Sequence, residues 1–247
     1  MKVDVAFTPA GLAHPQVQGR TVFVIDILRA TTAICAALSN GARAIIPVSS
    51  TEEALRLAQT IGSNDVLLAG ERKCARIPGF HLGNSPLEMT EQAVRGKTIL
   101  ATTSNGTEAL LACQGAAWVY PAAAANLSVA AERGREALDS KQNILILCAG
   151  RNGGFALDDA YCAGRLAAAI LGGTRPRREL NDAGLASIDL VRRYGDRWER
   201  PLSHSRSGRE LIKLGFRADV HDAARLDAYP VLAQYHERRV TPVAVHA

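Results

Sequence analysis

The first 170 or so residues alternate between continuous apolar runs and amphipathic stretches. The apolar runs predict buried strands at 21–26, 44–48, 66–69, 98–101, 118–120 and 143–148, and the alternation of apolar and polar residues over 3–7 predicts a first strand. The stretches between them predict helices that end near 39, 61, 113, 138 and 171, with a further helix starting at 85. Strands that alternate with helices favour an α/β fold with a largely parallel sheet.

The remainder of the chain has a different character. Residues 182–194, 203–214 and 218–226 have the pattern of helices, and 229–232 and 239–245 have the pattern of terminal strands. No linker-like composition separates this part from the rest. We therefore interpret residues 1–247 as one α/β domain with a helical C-terminal part.

Several predicted strands run into loops that are rich in polar residues or glycine. These loops begin at Asp26, Gly70, Thr102 and Cys148. If the strands are parallel, the loops meet at one edge of the sheet, which is where open α/β sheets bind ligands. The sequence therefore predicts a ligand site at this edge.

Residues 22–32 form the most informative of these strand ends. An apolar strand runs into Asp26, and Arg29, Thr31 and Thr32 follow just before a helix. Arginine and hydroxyl groups near a helix N-terminus bind anions, so we interpret the segment as a phosphate site whose carboxylate serves a metal or the reaction. In the alternative interpretation, Asp26 merely ends a strand and Thr31 caps the helix.

The loop after the strand at 98–101 offers hydroxyls, an amide and a permissive glycine. Such a loop can present backbone N–H groups to an anion, or its polar residues can simply cap the next helix. The candidate substrate-binding residues here are Thr103, Ser104, Asn105, Gly106 and Thr107.

Other strand ends and loops supply further candidates. Glu71 and Arg72 could provide a second metal-directed carboxylate and a second phosphate clamp, or only an exposed ion pair. Asn84 and Ser85 could bind substrate, although Ser85 is also a good helix cap. Asp158 could add a metal ligand, or it could complement the dipole of the helix that it opens.

Composition limits the classes of function. With 47% apolar and 21% charged residues, the chain is typical of globular proteins. No apolar run approaches the roughly 20 residues of a membrane span, and no signal peptide is visible, so we expect no membrane partner. Five cysteines without paired spacing predict reduced thiols and a cytoplasmic location.

The net charge of +5 favours a small anionic substrate. Nucleic acid is not an expected partner, because aromatic residues make up 5% of the chain and no basic stripe is interleaved with them. A homodimer is the expected assembly, since dimers are the commonest oligomers.

Familiar cofactor motifs are missing from the sequence. No strand is followed by G-x-G-x-x-G, and the P-loop-like residues 96–98 have Glu91 where the first glycine belongs. The histidines form no H-x-H or H-E-x-x-H pattern, which argues against a zinc hydrolase. An oxygen-ligand site remains, and that donor set suits Mg²⁺.

Taken together, the motifs resemble the 2-phosphosulfolactate phosphatase (ComB-like) family. The resemblance rests, in chain order, on residues 22–32, 70–72, 79–86, 103–107, 148–150 and 158–160. One departure is His81, where we expect an acid in many relatives, so this position is a doubtful metal or substrate residue. The resemblance implies a three-layer α/β/α fold with a mixed sheet and a magnesium-dependent phosphatase for phosphorylated 2-hydroxy acids. Its type substrate is 2-phosphosulfolactate, an intermediate of coenzyme M biosynthesis.

A mechanism follows as a hypothesis. Mg²⁺ is held by Asp26 and by Glu71 or Asp158, while Arg29 and Arg72 clamp the phosphoryl group. The nucleophile is either a metal-bound water or Asp26 itself, and the sequence leaves both open. Two other functions also stay open: a phosphatase for another small phospho-acid, and a non-catalytic binding protein for a phosphorylated or sulfonated acid.

Overall fold

The computed structural model of the protein describes residues 2–62, 65–172 and 179–243. The strands are β1 (Val3–Ala6), β2 (Thr21–Ile25), β3 (Ala44–Pro47), β4 (Val66–Arg72), β5 (Ala75–Arg76), β6 (Thr98–Thr102), β7 (Trp118–Ala122), β8 (Ile144–Cys148), β9 (Ala233–His236) and β10 (Arg239–Pro242). The helices are α1 (Ala30–Ser39), α2 (Thr51–Ile61), α3 (Glu91–Val94), α4 (Gly106–Leu111), α5 (Leu127–Asp139), α6 (Leu157–Leu171), α7 (Asp182–Tyr194), α8 (Glu199–His204), α9 (Arg206–Lys213) and α10 (Arg217–Ala223).

The strands form two hydrogen-bonded sheets. The first has the order β1–β8–β2–β7 and is parallel throughout. The second has the order β5–β4–β6–β3–β10–β9, with β4, β6 and β3 parallel and the outer strands antiparallel. Strand β9 of the second sheet packs beside β7 of the first.

Strand β2 is apolar throughout, and all five of its residues are buried. Phe23 and Ile25 point into the core that α5 and α6 share with the first sheet. Val22 and Val24 point the other way, into the core formed with α1 and α4. Both faces of the strand are therefore covered by helices, which confirms the predicted α/β fold with helical layers around a mixed sheet.

The C-terminal strands differ from their prediction. The predicted strand at 229–232 lies outside regular structure, and β9 starts at Ala233 instead. A two-residue turn at Glu237 and Arg238 joins β9 to β10, with φ of 47° and 60°. This turn usually carries Asn-Gly, so its Glu-Arg sequence gave no hairpin signal. The predicted strand 239–245 ends at Pro242, and residues 244–247 lie outside the described part of the chain.

Two predicted helices also differ. The helix expected from Ser85 is only a 3-10 turn, Pro86–Glu88. The helix expected over 203–214 is divided at Ser205, whose hydroxyl accepts a hydrogen bond from the Gly208 amide and caps α9. Gly208 is required there because a Cβ atom would lie 1.9 Å from the Leu202 carbonyl oxygen. Among the described helices, none has the length and apolarity to cross a membrane.

Candidate active site

A polar cavity of about 320 Å³ lies at the C-terminal edge of the parallel strands. The loops that follow β2, β6 and β8 all contribute to its wall, as the geometry of parallel strands predicts. The loop expected from Gly70 starts later, because β4 continues to Arg72, and the β4–β5 turn at Lys73 and Cys74 lines the cavity instead. Helix α9 closes a further side. The lining residues are Asp26, Leu28, Arg29, Glu71, Lys73, Cys74, Asn84, Thr103, Ser104, Asn105, Gly150, Arg151, Asn152, Asp158, Asp159, Ser207, Glu210 and Leu211.

Asp26 lies at the end of β2 and is only 7% exposed. Its own amide donates a hydrogen bond to the Thr31 hydroxyl at 3.1 Å, and the Ala30 amide donates to its carboxylate at 3.4 Å. Burial raises the pKa of Asp26 to about 7; the Ala30 amide opposes the shift, and the nearby carboxylates of Asp158 and Glu71 add to it. The positive charge near this carboxylate is therefore too small to bring its pKa back to the ordinary value of 3.8.

Asp158 and Asp159 open α6 and lie beside Asp26, and we call these three buried acids the floor. The Asp159 carboxylate accepts hydrogen bonds from the amides of Ile27 and Gly150, at 3.0 Å each, and so joins the loops after β2 and β8. Asp158 differs, because its buried Oδ1 atom has no hydrogen-bond partner in the described residues. Burial raises the pKa of Asp158 to about 6, and burial together with Asp158 and Asp26 raises the pKa of Asp159.

Glu71 connects two loops of the cavity wall. Its Oε1 atom accepts hydrogen bonds from the Ser104 amide at 2.9 Å and the Ser104 hydroxyl at 2.7 Å. Its Oε2 atom accepts one from the Cys74 amide at 2.9 Å. The carboxylate therefore fixes the 102–107 loop against the β4–β5 turn and still lines the cavity.

Arg29 is buried at the cavity wall, and it has an ion-pair partner that the sequence did not predict. Its guanidinium forms an ion pair of 2.5 Å with Asp219 of α10, and both side chains are 3% exposed. It also donates to the Cys74 carbonyl at 2.9 Å and stacks over the Phe216 ring. The Ser85 hydroxyl donates to the other Asp219 oxygen at 2.7 Å. Asp219 therefore orients Arg29 from 190 residues away in the chain.

Several predicted substrate residues lie outside the cavity lining. Thr31 accepts the Asp26 amide, and Thr32 donates to the Ile27 carbonyl, so both hold the loop after β2. Arg72 donates to the Glu71 carbonyl and to the Thr102 hydroxyl. Ser85 contacts Asp219 instead of the cavity.

Gly106 and Thr107 support the wall from behind. A Cβ atom on Gly106 would lie 2.5 Å from the Ala30 Cβ and 2.8 Å from the Asp26 carboxylate, so only glycine fits. Thr107 exchanges hydrogen bonds with Thr103, one residue of the predicted anion loop that does line the cavity. Ser104, Asn105 and Asn84 line it as well.

His81 is a structural residue. Its Nδ1 atom accepts the Leu68 amide at 2.9 Å, and the side chain lies away from the cavity. Cys148 is also unsuited to attack, because burial raises the pKa of its thiol well above the usual range. All five cysteines are free thiols.

The structure adds residues that sequence reasoning missed. Lys73, Cys74, Arg151 and Glu210 line the outer part of the cavity, and we call these four residues the rim. The Arg151 guanidinium forms an ion pair with Glu210 and donates to the Ser207 hydroxyl. Arg151 lies in the loop that begins at Cys148, so its place was predictable, whereas nothing in the sequence pattern marked Lys73 or Glu210.

The sequence of the chain is similar to those of known proteins over nearly its whole length. The model of the 2-phosphosulpholactate phosphatase family matches residues 6–238. A probable 2-phosphosulfolactate phosphatase of Symbiobacterium thermophilum is 43% identical over 91% of this chain and 95% of its own length. Probable 2-phosphosulfolactate phosphatases of Thermotoga petrophila and Clostridium acetobutylicum are 38% and 31% identical, over 92% and 95% of this chain and 92% and 97% of their own lengths. The chain therefore belongs to the 2-phosphosulpholactate phosphatase family of phosphoric monoester hydrolases, as its motifs predicted.

Proposed function

We propose that the protein is a magnesium-dependent phosphatase that hydrolyses the phosphate ester of 2-phosphosulfolactate, or of a related phosphorylated 2-hydroxy acid. The observation that carries this proposal is the floor. Three buried carboxylates share one cavity, and one of them has an oxygen without a hydrogen-bond partner. An anionic phosphate would be repelled by this arrangement unless a cation intervened.

The floor has the chemistry of a magnesium site. Asp26 and Asp158 are the residues that would hold the ion, because Asp159 already uses both oxygens to accept backbone amides. Glu71 accepts two backbone amides and the Ser104 hydroxyl, and it is the less available third ligand.

In the described residues, no group of three or more His, Cys, Asp or Glu side chains is arranged to hold a metal ion. Mg²⁺ does not need three protein ligands, since it is usually bound by one or two carboxylates, waters and substrate phosphate. When bound, the ion would supply charge neutralisation for the phosphoryl oxygens.

The protein's own residues supply the remaining requirements of phosphoryl transfer. Arg29, fixed by Asp219, presents a permanent positive charge at the cavity wall. The Ser104 and Asn105 region offers polar groups to further phosphate oxygens. Asp26 either attacks phosphorus to form an aspartyl-phosphate, which water then hydrolyses, or accepts the proton of a water that attacks phosphorus. In both routes the bond between phosphorus and the 2-hydroxyl oxygen breaks, and the released 2-hydroxyl oxygen takes up a proton.

The pathway and the compartment are part of the same proposal. Hydrolysis of 2-phosphosulfolactate releases 3-sulfolactate and phosphate, a step that would serve coenzyme M biosynthesis. Five free cysteines are consistent with action in the cytoplasm.

A substrate panel tests the proposal. Phosphate release is measured from 2-phosphosulfolactate, 2-phospholactate and phenyl phosphate, with Mg²⁺ and with EDTA. We expect Mg²⁺-dependent release that is fastest with 2-phosphosulfolactate. Release from 2-phospholactate alone would keep the reaction and change the substrate. Tight binding of these acids without release at any Mg²⁺ concentration would show a binding protein and overturn the proposal.

A further inference from the structure

The basic side chains that line the cavity differ in how far they are already paired. Arg29 is held by Asp219 and the Cys74 carbonyl, and Arg151 is held by Glu210 and Ser207. Lys73 lines the same cavity, yet within the described ranges it has no ion pair and no side-chain hydrogen bond. Its ammonium group is therefore the cation that a ligand can use without breaking an existing contact.

Lys73 is brought to the cavity by an unusual turn. Lys73 and Cys74 are the two central residues of the β4–β5 hairpin, with φ of 51° and 65°. Glycine and asparagine normally occupy such positions, because other side chains are strained there. The turn is fixed by its backbone, since the Cys74 amide donates to Glu71 and the Cys74 carbonyl accepts from Arg29.

Arg151 lines the same cavity as this turn and has one donor without a partner in the part of the chain that the structure describes. Its buried Nε atom has no hydrogen-bond partner in the described residues, although the guanidinium is paired at its other nitrogens. Burial and Glu210 raise the pKa of the Cys74 thiol, while Arg29 and Arg151 lower it, so Arg151 acts on the same turn as Lys73. The rim thus combines an unpaired ammonium with a guanidinium that has a donor to spare.

A phosphorylated 2-hydroxy acid carries at least one acid group besides its phosphate. The floor is acidic and would repel that group, whereas the rim can attract it. We propose that Lys73, together with Arg151, binds the carboxylate or sulfonate of the substrate and makes the enzyme selective for phosphorylated acids over simple phosphate esters. This inference rests on the proposed function and assigns the part of the substrate that the rim recognises.

The Lys73→Gly variant separates this role from a structural one. Glycine removes the charge and at the same time relieves the left-handed backbone, so the thermal midpoint should stay level or rise. We expect the KM for 2-phosphosulfolactate to rise about tenfold, because a charged hydrogen bond is lost, with kcat changed by less than about twofold. The KM for phenyl phosphate should not change, and Lys73→Arg should restore most of the affinity.

Lys141→Gly is the matched control. Lys141 also has a left-handed backbone, with φ of 61°, but it precedes β8 and lies at the opposite edge of the sheet. This variant should leave every kinetic constant unchanged. Equal changes in KM for 2-phosphosulfolactate and phenyl phosphate in Lys73→Gly would overturn the inference.

A binding measurement keeps the two proposals distinguishable. Calorimetric titration with 3-sulfolactate needs no turnover, and we expect Lys73→Gly to bind it about tenfold more weakly than the unchanged protein. If no substrate in the panel is hydrolysed but this difference appears, the proposed function fails and the acid-binding role stands. Equal affinity in the two proteins would remove the role of Lys73 even if hydrolysis is observed.

Discussion

The floor of the cavity contains only acidic side chains, whereas the rim contains two basic side chains and one acidic side chain. In the floor, Asp26, Asp158 and Asp159 are buried together, and burial raises the pKa of each carboxylate. In the rim, Arg151 has an acidic partner in Glu210, and Lys73 faces the cavity with its charge free within the described residues. A buried cluster of like charges favours a ligand of opposite charge, so the floor is suited to a cation. The rim is more exposed and carries the ammonium of Lys73, which is suited to an anion. One cavity therefore combines an acidic region, where we propose that the reaction takes place, with a basic region, where we propose that the substrate is selected.

Asp26→Asn should have the largest effect, because both routes to hydrolysis need this carboxylate. We expect the kcat for 2-phosphosulfolactate to fall roughly 1,000-fold or more. The metal-free fold should become more stable at pH 8, because a buried charge is removed while the amide oxygen can still accept the Ala30 amide. Rates and thermal midpoints measured on the same preparation check both parts, and near-normal kcat in a folded variant would contradict the role of Asp26.

Asp219→Asn should have the next largest effect. The substitution leaves the buried Arg29 guanidinium without its counter-charge, so we expect a loss of about 3 kcal/mol in unfolding free energy. Arg29 also loses its orientation, and kcat/KM should fall by roughly 10- to 100-fold.

Asp222→Asn provides the control for that experiment. Asp222 is a second buried acid of α10, bonded to Tyr229 and Arg225 and outside the cavity lining. Its variant should lose stability with little change in kcat/KM. Ser85→Ala removes the 2.7 Å bond to Asp219 and the bond that the hydroxyl accepts from the Leu87 amide, and it should shift kcat/KM in the same direction by less. Equal kinetic losses in the Asp219 and Asp222 variants would show that only stability is involved.

Replacing the adjacent acids Asp158 and Asp159 by asparagine should have different effects on Mg²⁺ binding and on metal-free stability. With saturating Mg²⁺ we expect the unchanged protein to gain roughly 5–10 °C in thermal midpoint. Asp158→Asn should lose most of this gain. Asp159→Asn should instead lose about 1–3 kcal/mol of metal-free stability, because an amide replaces one of two acceptors of backbone N–H groups. Identical behaviour of the two variants in Mg²⁺ titrations followed by thermal unfolding would contradict the division of roles.

The smallest expected effect is a pH dependence of the metal-free protein. The folded-state pKa of Asp26 is raised to about 7, above the ordinary value of 3.8, so between these values the folded state binds more protons than the unfolded state. Its contribution to stability is therefore complete below about pH 4 and is lost as the pH rises through 7. Subtracting the pH profile of Asp26→Asn from that of the unchanged protein isolates this loss. A difference that grows with pH would have the wrong sign.

The sequence was sufficient to predict the acids of the floor but not Lys73 and Glu210 of the rim, and the reason is physical. Asp26 ends a buried strand, and Asp158 lies in the first turn of the helix that follows the loop after β8. The geometry of parallel strands brings such loops together, so local pattern predicts that the two carboxylates meet. Lys73 reaches the cavity through a turn that lacks the usual glycine. Asp219 does so through the packing of α10, which no short-range pattern encodes. The same limit applies to Arg72, because the direction of a side chain at a strand end depends on the neighbouring strand.

Whether Asp26 and Asp158 hold a cation is tested most directly by adding Mg²⁺ back to metal-stripped protein. Phosphate release from 2-phosphosulfolactate and thermal unfolding are followed in parallel. We expect no release in EDTA, a saturable return of activity, and a rise in thermal midpoint over the same Mg²⁺ range. Release in EDTA at the full rate, or a return of activity with no effect of Mg²⁺ on the fold, would contradict a cation held by Asp26 and Asp158.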